Sequence, residues 1–231
     1  MKKLTYFFFI IFLLIITTGV NAQLFQGYAL AGINLSKVEG DRINNNMLAF
    51  NKPGLNTGLG VALDVGHNFS ASMEILFSQK GAYKKNGEPD SLQPAYLISL
   101  NYAEIPLIIH YTDKEKYIFG TGFSYSRLLS LKWIVNGRTL SDKIQDGLYA
   151  DNNIDWIADF RMNVWKGLKF NFRYAYSLKS IWSGTEDQLL ETIGGQKQDM
   201  DQRNSMVSVR FIWSFNEKQT KITKEEIKNN K

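Results

Sequence analysis

"LKFNFRYAYSLKS", Leu168 to Ser180, decides the fold. Its even positions from 168 to 178 are apolar or aromatic: Leu168, Phe170, Phe172, Tyr174, Tyr176 and Leu178. The odd positions carry Lys169, Asn171, Arg173, Ala175, Ser177 and Lys179. A period of two places these sets on opposite faces of one strand. The same alternation recurs in "FSASMEILF" (Phe69, Ala71, Met73, Ile75, Phe77 against Ser70, Ser72, Glu74) and in "VSVRFIWSF" (Val207, Val209, Phe211, Trp213, Phe215 against Ser208, Arg210, Ser214). Residues 154–165 set Trp156, Ala158, Phe160, Met162 and Val164 against Asp159, Arg161 and Asn163.

Eight stretches have this strand character: 25–35, 54–65, 69–82, 96–111, 117–131, 154–165, 168–180 and 204–215. Short links (66–68, 112–116, 166–167) alternate with long polar ones (36–53, 83–95, 132–153, 181–203). An even strand count with short turns at one end and long loops at the other is the pattern of an antiparallel barrel in a bacterial outer membrane. That pattern predicts an all-β, eight-stranded, up-and-down transmembrane barrel over residues 23–215, with both ends of the chain in the periplasm.

Volume decides which face is wet. Eight strands enclose a space that ordinary side chains already fill, so many Phe, Tyr and Trp rings fit better outward against lipid, those near strand ends forming interfacial girdles. The inward set then contains Asp64, Glu74, Glu104 and Asp159 with Lys80, Arg161, Arg173 and Arg210. Charges in so narrow a lumen must be paired, which predicts a plugged interior. Gly120 and Gly122 are expected to let bulky interior side chains approach the wall.

The termini carry other signals. "MKKLTYFFFIIFLLIITTGVNAQ" has two lysines, an apolar run from Leu4 to Ile16 and a small-residue site ending at Ala22, the layout of a secretory signal peptide over 1–22; an uncleaved anchor is the alternative. No later run approaches the roughly 18 apolar residues of a membrane helix. The net charge of +5 resides in the ends: without Lys2, Lys3 and the tail 216–231, 20 basic and 19 acidic residues remain. Nucleic-acid binding therefore has no electrostatic basis. The tail reads as a solvated basic periplasmic extension, with a short helix or contact segment around "TKEEIK" as the alternative.

The chain has no cysteine, hence no disulfide, thiolate metal site or cysteine nucleophile. His67 and His110 sit near the short turns and have no ligand spacing, so neither a catalytic site, a metal site nor a cofactor is expected. Trp133, Tyr149 and Trp182 in the long loops suggest either a binding surface or girdle positions. Pro106 is expected at a bulge or locally unpaired site. Glu104, with Tyr102 beside it and Arg173 or Arg161 across the lumen, reads as a structural pair closing the interior or as a ligand or gating site.

"LNYAEIPLIIHY" (Leu100 to Tyr111), with Asn101, Tyr102, Glu104, Ile105, Pro106 and Leu107, resembles the central segment of the PorT-like outer-membrane barrels of Bacteroidetes. "MEILFSQKGAY" (Met73 to Tyr83) is similar to that family's third strand and "GYALAGINLS" (Gly27 to Ser36) to its first. The resemblance implies an eight-stranded outer-membrane barrel and, from the member that gives the family its name, an accessory part in type IX protein secretion. The chain is expected to be non-enzymatic, with a structural or interaction role in the envelope. The last strand, ending at Phe215, is similar to the terminal signal read by barrel-insertion machinery. Expected partners are outer-membrane lipid, that machinery, and envelope proteins met through the outer loops or tail. The rival readings are an outer-membrane hydrolase and a soluble periplasmic barrel binding an apolar ligand.

Overall fold

In the computed structural model, which describes residues 25–40, 50–66, 68–85, 94–114, 116–135, 137–142, 144, 147–183 and 201–215, the alternating stretches form nine strands. They are β1 (Phe25–Glu39), β2 (Lys52–Gly66), β3 (Phe69–Lys85), β4 (Pro94–Asp113), β5 (Tyr117–Val135), β6 (Arg138–Ser141), β7 (Asn152–Trp165), β8 (Leu168–Ser177) and β9 (Arg203–Ser214). The regions expected to hold the signal peptide (1–22), the basic tail (216–231) and His67 lie outside the described residues.

Eight of these strands close a ring. Each pairs antiparallel with its neighbours in the order β1, β2, β3, β4, β5, β7, β8, β9, and β9 returns to β1 through pairs from Tyr28↔Ser214 to Glu39↔Arg203. Closure removes the open edges that a sheet would otherwise expose. The ninth strand, β6, is a departure from the sequence expectation. Residues 132–153 read as one polar loop, yet β5 runs on to Val135, turns at Gly137 (φ 76°) and pairs back through Val135↔Arg138. Four residues with a positive-φ glycine between them and β5 make a local hairpin, too short a pattern to stand out by alternation.

The faces divide as the volume argument requires. Phe172, Phe211, Trp213, Phe119 and Phe123 point outward, 42–57% exposed. On β8, Asn171, Arg173, Ala175 and Ser177 are buried, while Lys169 lies at its start and Lys179 beyond its end. An apolar-lined cavity, as in a soluble ligand-binding barrel, would need the opposite arrangement. Glycines clear space for the interior: a Cβ on Gly60 would lie 2.4 Å from the Tyr28 ring, and one on Gly120 would lie 2.4 Å from His110. The β3–β4 ladder skips from Met73↔Leu107 to Leu76↔Glu104. Pro106, which has no N–H to donate, sits in this gap.

Candidate functional site: the charged lumen

Inward positions of β3, β7, β8 and β9 converge on one polar layer. Glu74 accepts from Arg173 Nη1 at 2.9 Å, Arg173 Nη2 at 3.0 Å, Arg161 Nη2 at 2.8 Å and Tyr28 Oη at 3.0 Å. Asp159 accepts from Arg161 Nε at 2.8 Å, Arg173 Nε at 2.8 Å and Asn171 Nδ2 at 3.0 Å. The Arg210 guanidinium lies 3.6 Å from Glu74 and 3.5 Å from Asp159, and Arg210 Nε donates to Asn171 Oδ1 at 2.8 Å. β3 and β8 are four steps apart in either direction around the ring. The Glu74–Arg173 contact therefore spans the full width of the lumen.

A second layer lies towards the long-connection end. Lys80 Nζ is 2.6 Å from Glu104 and 2.6 Å from Asp155, and stands over the Tyr102 ring at 5.3 Å. Asp155 also accepts from Asn153 Nδ2 at 2.7 Å and Ser177 Oγ at 2.9 Å. All eight of these acids and bases are at least 95% buried. Burial on this scale is tolerated only with such pairing and hydrogen bonding.

Seven of the eight residues expected inside therefore join the two layers, and Asp64 does not. It lies two residues from the end of β2, half-exposed, where its carboxylate accepts from Gly66 N at 2.8 Å and caps the turn. The fourth acid is Asp155. The alternation that put Asp159 and Arg161 inside also puts Asp155 there, so the signal was present. A second correction concerns Glu104, whose partner is Lys80 and not an arginine across the lumen. Of the remaining residues in the "LNYAEIPLIIHY" segment, Tyr102 and Pro106 face the interior, whereas Ile105 and Leu107 are 44% and 59% exposed on the outer wall. Asn101 donates to Ser130 Oγ at 2.7 Å outside the lumen.

Above the Lys80 layer the interior becomes apolar. Tyr96, Ile98, Leu100 and Tyr102 from β4 pack with Leu128, Leu131 and Trp133 from β5. Leu148, Tyr149, Ile181 and Trp182 fold onto them from the long connections. Trp133, Tyr149 and Trp182 meet edge to face, with ring centroids 5.4–6.1 Å apart. They are 0–6% exposed, so they are neither girdle residues nor an exposed binding surface but a stopper. Tyr149 and Trp182 pair as an isolated bridge, and Ile181 N donates to Gln202 O at 2.7 Å, which ties the connections across the mouth. Sequence gave no warning, because a loop aromatic folded inward and one facing solvent look alike.

One constellation has the residue types of a hydrolase. Ser72 Oγ lies 2.8 Å from His110 Nε2, and His110 Nδ1 lies 3.9 Å from Asp159. That last distance is beyond a hydrogen bond, and both Asp159 oxygens are held by arginines, so Asp159 cannot orient the imidazole as a triad acid must. Ser72 is itself buried among these groups. No group of three or more His, Cys, Asp or Glu among the described residues could hold a metal ion.

The sequence model of a family described as outer membrane protein beta-barrel domain matches residues 19–183, more than two thirds of the 231-residue chain. Among solved structures, neisserial surface protein A is 11% identical over 82% of this chain and 97% of its own, with a TM-score of 0.48. The attachment invasion locus protein Ail of Yersinia pestis is 12% identical over 82% and 99%, with a TM-score of 0.46. OprG of Pseudomonas aeruginosa is 9% identical over 83% and 94%, with a TM-score of 0.33. No curated protein matches the chain. Its closed antiparallel ring, lipid-type outer face and family match together identify the chain as a member of the outer-membrane β-barrel domain family, an outer-membrane protein surrounded by lipid.

Proposed function

We propose that this chain is a non-enzymatic, sealed outer-membrane barrel with a structural or interaction role in the envelope. The observation that carries this reading is the Glu74–Arg173 contact between opposite strands: ions and solutes have no polar route past side chains already bonded to one another across the lumen. In this role Glu74, Lys80, Glu104, Asp155, Asp159, Arg161, Arg173 and Arg210 cross-link the wall. The short turns and both chain ends face the periplasm, as the unequal loop lengths suggest. Residues 1–22 act as a cleaved signal, 216–231 as a solvated tail, and β9 with Phe215 as the segment read by insertion machinery. Outer loops or tail supply the contacts with envelope proteins.

The test is electrical. Purified, heat-modifiable protein in a planar bilayer should give no stable conductance steps, and a reproducible open channel would overturn the sealed-barrel reading. The resemblance of "LNYAEIPLIIHY" to PorT-like barrels of Bacteroidetes supports a narrower role as an accessory to type IX secretion. Deleting the gene should then reduce extracellular type IX cargo; unchanged secretion would remove that role and leave the sealed barrel standing.

A further inference from the structure

The outer wall of β4, β5 and β7 changes chemistry at a single level. β4 presents Leu107, Ile105 and Ala103 and then Asn101 and Ser99; β5 presents Phe123 and Tyr125 and then Arg127; β7 presents Trp156 and Ile154 and then Asn152. The register aligns these switches, with Ala103 opposite Arg127, Arg127 opposite Asn152 and Ser99 opposite Lys132. Arg127 lies ten residues beyond Tyr117. At about 3.3 Å per residue and a tilt of about 40°, that is about 25 Å, the height of a barrel's apolar band. Arg127 thus stands at the hydrocarbon edge and Lys132 just beyond it.

Two other cations near this rim are neutralised within the chain, while Lys84, Arg138 and Lys179 are exposed there with no ion pair among the described residues. Lys37 pairs with Glu39 at 2.8 Å and Arg203 with Asp201 at 2.9 Å. Arg127 and Lys132 are exposed, and among the described residues no ion pair includes either, nearby Asp151 included. Polar groups flank them: Tyr125 Oη donates to Asn152 Oδ1 at 2.7 Å, and Ser130 is exposed between the two cations. Below lie Phe123, Tyr125 and Trp156, 38–57% exposed, while the exposed Leu129 stands between the two cations.

We propose that this patch binds the headgroup of a phosphorylated outer-leaflet glycolipid of the lipopolysaccharide type, its acyl chains lying against the aromatic wall beneath. A guanidinium at the membrane edge takes phosphate in bidentate fashion. The span from Arg127 to Lys132, about 15 Å along the strand, suits a headgroup with more than one anionic group better than a single phosphate. The proposal rests on the orientation given under the proposed function, which puts the long-connection end in the outer leaflet.

The test uses the full-length protein in mild detergent with diphosphoryl lipid A as probe, binding being read by native mass spectrometry. Arg127→Gln with Lys132→Gln should weaken binding about tenfold or more, whereas Lys166→Gln, in the turn at the opposite end, should not. Equal binding by wild type and double variant would overturn the site, as would undiminished binding of dephosphorylated lipid A. Equal displacement by phosphatidylglycerol would overturn the glycolipid assignment. Heat-modifiable migration shows that the double variant is folded; if it is not, the single variants carry the comparison. A Ser130→Cys variant exposed to an impermeant maleimide on intact cells separates the two failures. Labelling without lipid A binding sinks the site alone, and absence of labelling sinks the orientation.

Discussion

Single residues in the lumen are held by unequal numbers of opposite charges. In the deeper layer two acids, Glu74 and Asp159, face Arg161, Arg173 and Arg210, while near the stopper Lys80 faces Glu104 and Asp155. Asp159→Asn leaves three buried guanidiniums with one carboxylate and should cost about 3–5 kcal/mol. Glu104→Gln leaves Lys80 paired one-to-one with Asp155 and should cost only about 1–2 kcal/mol. Denaturant midpoints of the folded, unheated gel band would rank the two; equal losses would contradict the division into layers. Gly60→Ala drives a Cβ into the Tyr28 ring and should cost about 1–3 kcal/mol through overpacking. Alternation made the inward face legible, since period-two burial assigns each side chain to one wall. It did not reveal partners: Glu104 and Lys80 meet through strand register and barrel closure, neither of which is encoded in one strand's own pattern.

At the scale of elements, the strands were legible and the mouth was not. The long amphipathic runs of β3, β7, β8 and β9 identify themselves because one face meets lipid and the other a polar lumen, so every second residue is constrained. β6 and the segments carrying Tyr149 and Trp182 have no such repeat, and only their packing on Trp133 orders them. Trp182→Ala removes one member of the edge-to-face set and should cost about 3–5 kcal/mol, loosening the mouth first. Amide exchange should rise around 147–151 and 181–183 while β8 and β9 remain protected; uniform loss of protection would mean that the stopper and barrel unfold as one unit. On the outer wall, Phe172→Arg places a charge at mid-strand in the lipid band and should cost about 2–4 kcal/mol, seen as reduced recovery in the membrane fraction.

For the whole molecule, the governing fact is an inside-out distribution of chemistry through the lipid band, with Phe119, Phe123, Phe172 and Phe211 on the outer wall and the arginines at the centre, the aromatic stopper being confined to one mouth. That distribution was legible because lumen volume excludes the reverse arrangement, and the family match agrees with it. The most direct test is fractionation of cells producing the full-length chain, followed by detergent extraction and a comparison of unheated and boiled samples on a gel. The account predicts recovery in the outer membrane and migration that changes on boiling, as the cross-linked barrel gives way to an unfolded chain. A soluble protein whose migration is indifferent to heating would contradict it, because aromatic faces as exposed as those of Phe172 and Phe211 could not then be facing water.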